Sequence, residues 1–144
     1  MCTNQYIQKG NLKMLKRIKI LEASGLTKSP LFFAEDFSFN TERFFYVLDM
    51  KKDESRGAHA HKRTTQLIWV TSGVVNIQAR LSSGESILSE NLEKNSDAIL
   101  FEPMVWLDIV SIEKGSSFMC LADMNYSEED YIRDRDSFFK DCDD

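Results

Sequence analysis

Histidine is scarce in this chain. Among 144 residues there are two, His59 and His61, separated by Ala60. Proline is equally rare, and both copies, Pro30 and Pro103, fall where a strand would begin or end. No apolar run approaches the ~18 residues of a membrane-spanning helix. Lys9, Lys13, Lys16, Arg17 and Lys19 interrupt the early part throughout, which excludes the apolar core of a signal peptide. An excess of basic residues is also missing. The net charge of -5 leaves no general surface for releasing counterions from nucleic-acid phosphates. The cysteines are an odd three, Cys2, Cys120 and Cys142, with no CxxC among them. That excludes a disulfide framework and a zinc motif, and reads as free thiols in a reducing, cytoplasmic compartment.

What remains fits one globular domain. The length suits a single core, and 42% apolar with 28% charged residues is an ordinary soluble balance. Residues 1–15 read as a polar N-terminal extension that need not be ordered, and 16–144 as one domain. No repeat and no linker divides it. Met14 to Ala23 alternates apolar and basic residues, which suits a strand slightly better than a short helix. Glu42 to Met50 is aromatic and β-branched, and closes on Lys51-Lys52-Asp53-Glu54. Two Ser-Gly turns, Ser72-Gly73 and Ser83-Gly84, bracket VVNIQARL, where Val75, Ile77, Ala79 and Leu81 share one face. Their spacing predicts an antiparallel meander. ESILSENL, DAILFEP, VWLDIVSIE and SFMCLADMN each predict a further strand. Only SEEDYIRDRDSFFK looks helical, with Ser127 as a cap and Asp130 three residues on. Many short strands in so small a chain predict an all-β jelly-roll barrel with a short C-terminal helix.

On a strand, His59 and His61 project from one face and aim two imidazoles into one cavity. Imidazole holds or releases a proton near neutral pH, so the pair suits a metal or a proton transfer; a surface pair with no role is the plain alternative. A metal site of the cupin type adds a carboxylate four or five residues on and a third histidine. Gln66 stands there as a neutral amide and no third histidine exists. Asp108 or Glu102 would have to complete such a site. Proton transfer needs a base, an acid and a group that meets developing negative charge. His59, His61, Tyr46 and Arg56 could supply these. Tyr46 could equally be a core aromatic. Arg43 and Arg56 could hold phosphate oxygens bidentately, or simply be solvated surface charges.

RGAHAHKRTTQLIWVTSG resembles the R-G-x-H-A-H-K-x-x-x-Q core of the cupin-fold nucleotide-sugar 3,4-ketoisomerases. NYSEEDYIRDRDSFFK is similar to that family's C-terminal motif, ERFFYVLD to its R-V-(F/Y)-Y-x-x-D strand, and FEPMVW to its P-x-x-W. The resemblance runs in order from about Phe37 to Lys140. It implies a cupin-type barrel and isomerisation of a dTDP-linked 4-keto-6-deoxy sugar without cofactor or metal. His61 falls as the main base and His59 as its partner, with Tyr46 as the strand tyrosine. Arg43 and Arg56 fall on the phosphates, and Gln66 and Trp106 among the substrate-binding positions. It further implies a homodimer with exchanged N-terminal strands, and a place in deoxyamino-sugar biosynthesis for surface glycans. Three departures stand out. Leu107 follows Trp106 where the family commonly has histidine, LTKSPLFFAED replaces D-x-R-G-x-L, and Arg135 replaces tyrosine. Leu107 keeps a second reading open: a cupin that holds a sugar nucleotide without converting it.

Overall fold

The computed structural model describes residues 14–23 and 29–139. Cys2, Cys142 and most of the expected 1–15 extension lie outside the described residues. In chain order the strands are β1 (Leu15–Ile18), β2 (Leu21–Ala23), β3 (Leu31–Phe33), β4 (Arg43–Met50), β5 (Ser55–His61) and β6 (Gln66–Ser72). They continue as β7 (Val75–Leu81), β8 (Ser86–Leu92), β9 (Ala98–Phe101), β10 (Val105–Ser111), β11 (Ser116–Ala122) and β12 (Tyr131–Ile132). One helix, α1, covers Arg135–Phe139.

The strands form two five-stranded sheets. One runs β1-β9-β6-β11-β4, the other β12-β5-β10-β7-β8, and β2 and β3 make a small hairpin. The large sheets share no strand, so they face each other as a jelly-roll sandwich whose barrel does not close. Period-two patterning places the core between them. Ile68, Ile99, Phe118 and Cys120 come from the first sheet, and Val75, Ile77, Ala79, Leu107 and Ile109 from the second. Each large aliphatic buried there contributes about 1.5–3 kcal/mol relative to exposure. β9 is buried along its whole length because both its faces are covered. Ile99 and Phe101 face the core, while Ala98 and Leu100 pack outward with Ile18 and Leu67.

The meander expectation holds at one turn and fails at the other. Ser83-Gly84 closes a true hairpin, with Val75 opposite Leu92. Ser72-Gly73 instead carries the chain from one sheet to the other, since β6 pairs with β9 and β11 while β7 pairs with β8 and β10. Gly73 has φ +69°, and a Cβ there would lie 2.3 Å from the Ser116 hydroxyl oxygen, so this crossing needs glycine.

The C-terminal helix is shorter than its sequence suggests and begins later. Glu128–Asp130 form one 3-10 turn, and Ser127 makes no side-chain cap. Tyr131 and Ile132 then pair with β5, opposite His61 and Ala60. The helix starts only after Asp134, whose carboxylate accepts from the Asp136 N–H at 3.2 Å. Pairing with β5 outweighs the local helix signal because it buries Asp130 and seats Phe138 against Ala60 and Trp106.

Candidate active site

A cavity of about 720 Å³ opens between the sheets at the end where β5, β6 and β12 meet. From β5 and its approach come Glu54, Arg56 and His59, and from β12 and just beyond come Tyr131 and Arg133. Leu107 and Ile109 of β10 complete that wall. The facing wall carries Phe45, Val47, Gln66, Ile68 and Phe118. A second hollow, an apolar trough of about 430 Å³, lies on the outer face of the other sheet against Trp69 and Leu121. It is lined almost wholly by apolar side chains, whereas the first cavity carries His59, Tyr131, Arg56 and Arg133.

Strand β5 is bent to serve His59. Gly57 and Ala58 both have left-handed backbones, φ +84° and +56°, beside a register shift between Leu107 and Asp108. A Cβ at Gly57 would sit 2.8 Å from the Leu107 carbonyl oxygen. The bend brings the Gly57 carbonyl within 2.9 Å of His59 Nδ1. A carbonyl can only accept, so Nδ1 carries the proton and Nε2 keeps its lone pair.

His61 is fixed in the same tautomer by a different partner. Its Nδ1 donates to Asp130 Oδ2 at 2.8 Å. Asp130 is 2% exposed, yet its carboxylate is fully engaged. It also accepts from the Thr64 hydroxyl at 2.5 Å and from the Arg63 backbone N–H at 2.7 Å. Burial alone would raise its pKa; the hydrogen bonds from Thr64, His61 and Arg63 outweigh this and hold it below the ordinary carboxylate value. His61 Nε2 is buried and has no hydrogen-bond partner. The two imidazoles meet edge to face with centroids 5.1 Å apart. Tyr131 lies across both, 4.9 Å from His59 and 4.4 Å from His61.

Both histidines are held below the ordinary imidazole pKa. For His59 the cause is burial, only partly offset by the Gly57 carbonyl. For His61 it is burial first, opposed by Asp130, with the Arg43 charge adding to the lowering. Two neutral imidazoles at neutral pH, each with a free Nε2 lone pair, are what a general base requires.

The other expected residues divide. Gln66 is buried on the cavity wall, and Arg56 stands at the mouth, paired with Glu54 at 3.4 Å. Arg43 lies on the inner face of β4, in register with Ala122, which is itself opposite Gln66. Its Nε is buried without a hydrogen-bond partner, and its guanidinium rests 5.9 Å from the Phe45 and Tyr126 rings. Tyr46 borders the cavity, but strand alternation sets it on the outer row with Phe44 and Leu48, and it is 55% exposed. It is therefore no core aromatic. Trp106 of the expected substrate-binding set stands apart from the others. It is buried beneath α1, with the Phe138 ring at 5.5 Å, and does not border the cavity. Trp106 and Leu107 are neighbours on a strand and so face opposite ways; Leu107, in register with His59, is the one that looks inward. The carboxylates considered for a metal site stand apart from the imidazoles. Asp108 faces Arg135 at 3.6 Å, and Glu102 accepts from Thr65 at 3.3 Å. Cys120 is buried and its thiol is pushed up to about 12, so it stays protonated.

Sequence reasoning missed Asp130, Tyr131 and Arg133. The signal was present in DYIR: read as a strand instead of a helix, it sets Tyr131 and Arg133 on one face. Arg133 lies 4.3 Å over the Tyr131 ring and bonds Glu128, which is held down to about 2, chiefly by Arg133 and then by the Tyr126 hydroxyl.

Known proteins share this fold and sequence. TDP-4-oxo-6-deoxy-alpha-D-glucose-3,4-oxoisomerase of Aneurinibacillus thermoaerophilus is 31% identical over 106 residues, covering 74% of this chain and 75% of that protein. A 3,4-ketoisomerase from Helicobacter canadensis superposes with a TM-score of 0.77 at 26% identity, over 90% of this chain and 98% of that one. QdtA, a sugar 3,4-ketoisomerase of Thermoanaerobacterium thermosaccharolyticum solved with TDP, superposes equally well at 0.77 and 24% identity, over 91% and 96%. The family model described as WxcM-like, C-terminal (FdtA) matches residues 11–143, and the chain belongs to that family.

Proposed function

We propose that this chain is an isomerase that moves the keto group of a dTDP-linked 4-keto-6-deoxy sugar from C4 to C3. The observation that carries the reading is the pair of imidazoles on β5, each anchored through Nδ1 and each with its Nε2 lone pair free. His61, oriented by Asp130 and packed behind His59 and Tyr131 just outside the cavity lining, takes the C3 proton, which the adjacent ketone acidifies. His59, on the cavity wall, is its partner in returning a proton to C4. Gln66 lines the inner side where negative charge develops, with Arg43 two strands away in the same cross-strand row, and Arg56 and Arg133 at the mouth suit the diphosphate. The imidazoles and their anchors account for the proton transfers without a cofactor or metal.

The named relatives support this substrate class, since the Aneurinibacillus protein is a TDP-sugar oxoisomerase and QdtA was solved with TDP. The same reading includes a homodimer with exchanged N-terminal strands, built on the outer face of the first sheet. There Phe44, Tyr46 and Leu48 stand exposed along the edge strand beside the apolar trough. It also includes a cytoplasmic role in making deoxyamino sugars for surface glycans. One observation favours a non-catalytic sugar-nucleotide binder instead: Leu107, with no proton to give, faces His59 directly. Incubation with dTDP-4-keto-6-deoxyglucose followed by NMR decides between them. A 3-keto product establishes the isomerase; binding without product supports the binder.

A further inference from the structure

Asp130 fixes the His61 tautomer, but a carboxylate held by that imidazole alone would also keep a proton on the ring. Here the carboxylate is shared. Thr64 lies between β5 and β6 and is 2% exposed. Its hydroxyl donates to Asp130 Oδ2 at 2.5 Å, the same oxygen that receives His61 Nδ1–H at 2.8 Å. A carboxylate only accepts, so both groups are donors competing for one atom. The other oxygen, Oδ1, accepts the Arg63 backbone N–H at 2.7 Å. Further charged and titratable groups surround the ring. They are His59 on β5, Tyr131 and Arg133 of the β12 segment, Arg43 of β4, and the Arg63 side chain, 3.9 Å from Oδ1, with Glu128 acting on His59. Among the described residues, Thr64 and His61 are the side chains bonded to Oδ2.

We propose that Thr64 is a positioning residue that sets how readily His61 takes and releases a proton: its hydroxyl occupies part of the Asp130 oxygen and weakens that oxygen's hold on the imidazolium. The cause is competition at one acceptor. Each donor draws charge from Oδ2, so each bond is weaker while the other is strong. A protonated ring draws most, and the Thr64 bond then loses most. The hydroxyl therefore favours neutral His61, the form that accepts a proton, while the Nδ1–H bond still fixes the ring. His61 accordingly lies below the ordinary imidazole value with a buried carboxylate beside it, burial being the first cause. Threonine holds its hydroxyl stiffly at χ1, which keeps the donor on target. The effect on turnover rests on the ketoisomerase reading above; the effect on the His61 ring does not.

The test is imidazole NMR of the full chain across pH. Two histidines give two ring titrations, assigned with His61→Asn. Thr64→Val keeps the shape and removes the donor. Thr64→Ala also removes it, and serves if the valine variant does not fold. Thr64→Ser keeps it. Without the hydroxyl the His61 midpoint should rise by about half a pH unit, and the acid limb of kcat/KM should rise with it. Thr64→Ser should stay at the wild-type values. A His61 midpoint that stays or falls when the hydroxyl is removed, even with a lower melting temperature, overturns the proposal and leaves Thr64 a packing residue. A serine variant that shifts as the valine one does overturns it too. A raised midpoint in a protein that makes no 3-keto product from dTDP-4-keto-6-deoxyglucose upholds the coupling and overturns the isomerase reading instead.

Discussion

Asp130 is the residue on which the site turns, and no spacing rule pointed to it. Its carboxylate joins His61, Thr64 and the Arg63 backbone, three partners some 66–69 residues away in sequence. Such a contact is set by tertiary pairing, so only the strand reading of Tyr131-Ile132 could have exposed it. The histidine pair was legible because period two puts i and i+2 on one face. Asp130→Asn keeps the shape but lets an amide N–H face the imidazole, disfavouring the Nδ1–H tautomer. We expect a fall in kcat of about 10²–10⁴-fold, the usual worth of a positioned base. Its pH–rate profile should change as well. In the wild type both imidazoles are held low, so the acid limb should fall below the ordinary 6.5. Asp130 supports protonated His61, so its neutral replacement should move that limb further down. An unchanged limb with a lower melting temperature would reduce Asp130 to a structural role. The histidines also tie stability to pH. Protons bind the unfolded chain first as pH drops below about 6.5, so stability is lost from there down to the depressed folded values.

At the scale of elements, the strands were readable and the end of the chain was not. VNIQARL and RFFYVLDM became β7 and β4 because alternation and β-branched or aromatic residues describe a half-buried pleat. The Ser127 cap signal failed because Asp130, its intended partner in the first turn, is drawn into the sandwich and Tyr131-Ile132 pair with β5. Trp106 lies away from the cavity for a related reason. A motif fixes which residues occur together, but strand alternation decides which of Trp106 and Leu107 faces the cavity. The C-terminal segment is held by Phe138, buried on Trp106 and Ala60. Phe138→Ala should cost about 3–5 kcal/mol, read as a drop in denaturation midpoint. It should also lower activity, because the same segment carries Asp130 to His61. Full activity in a destabilised variant would uncouple the two.

For the whole molecule, the jelly roll was legible as a class, whereas the division of strands between sheets was not. The crossing at Gly73 depends on its close approach to Ser116, which the sequence does not announce. The outer face of the first sheet leaves Phe44 62% and Leu48 64% exposed at an edge strand, beside an apolar trough. Edges of this kind are usually covered. Sedimentation should find a dimer that Leu48→Lys weakens; a monomer throughout would remove the proposed assembly. In the proposed mechanism the two sheets enclose one chemistry, in which β5 supplies the base and the C-terminal segment orients it. The most direct measurement of that claim is deuterium entering the sugar ring from heavy water, compared between wild type and His61→Asn at matched occupancy by dTDP-4-keto-6-deoxyglucose. Exchange should be rapid in the wild type and fall by at least about 10²-fold in the variant, with dTDP binding nearly unchanged. Equal exchange in both proteins would contradict it.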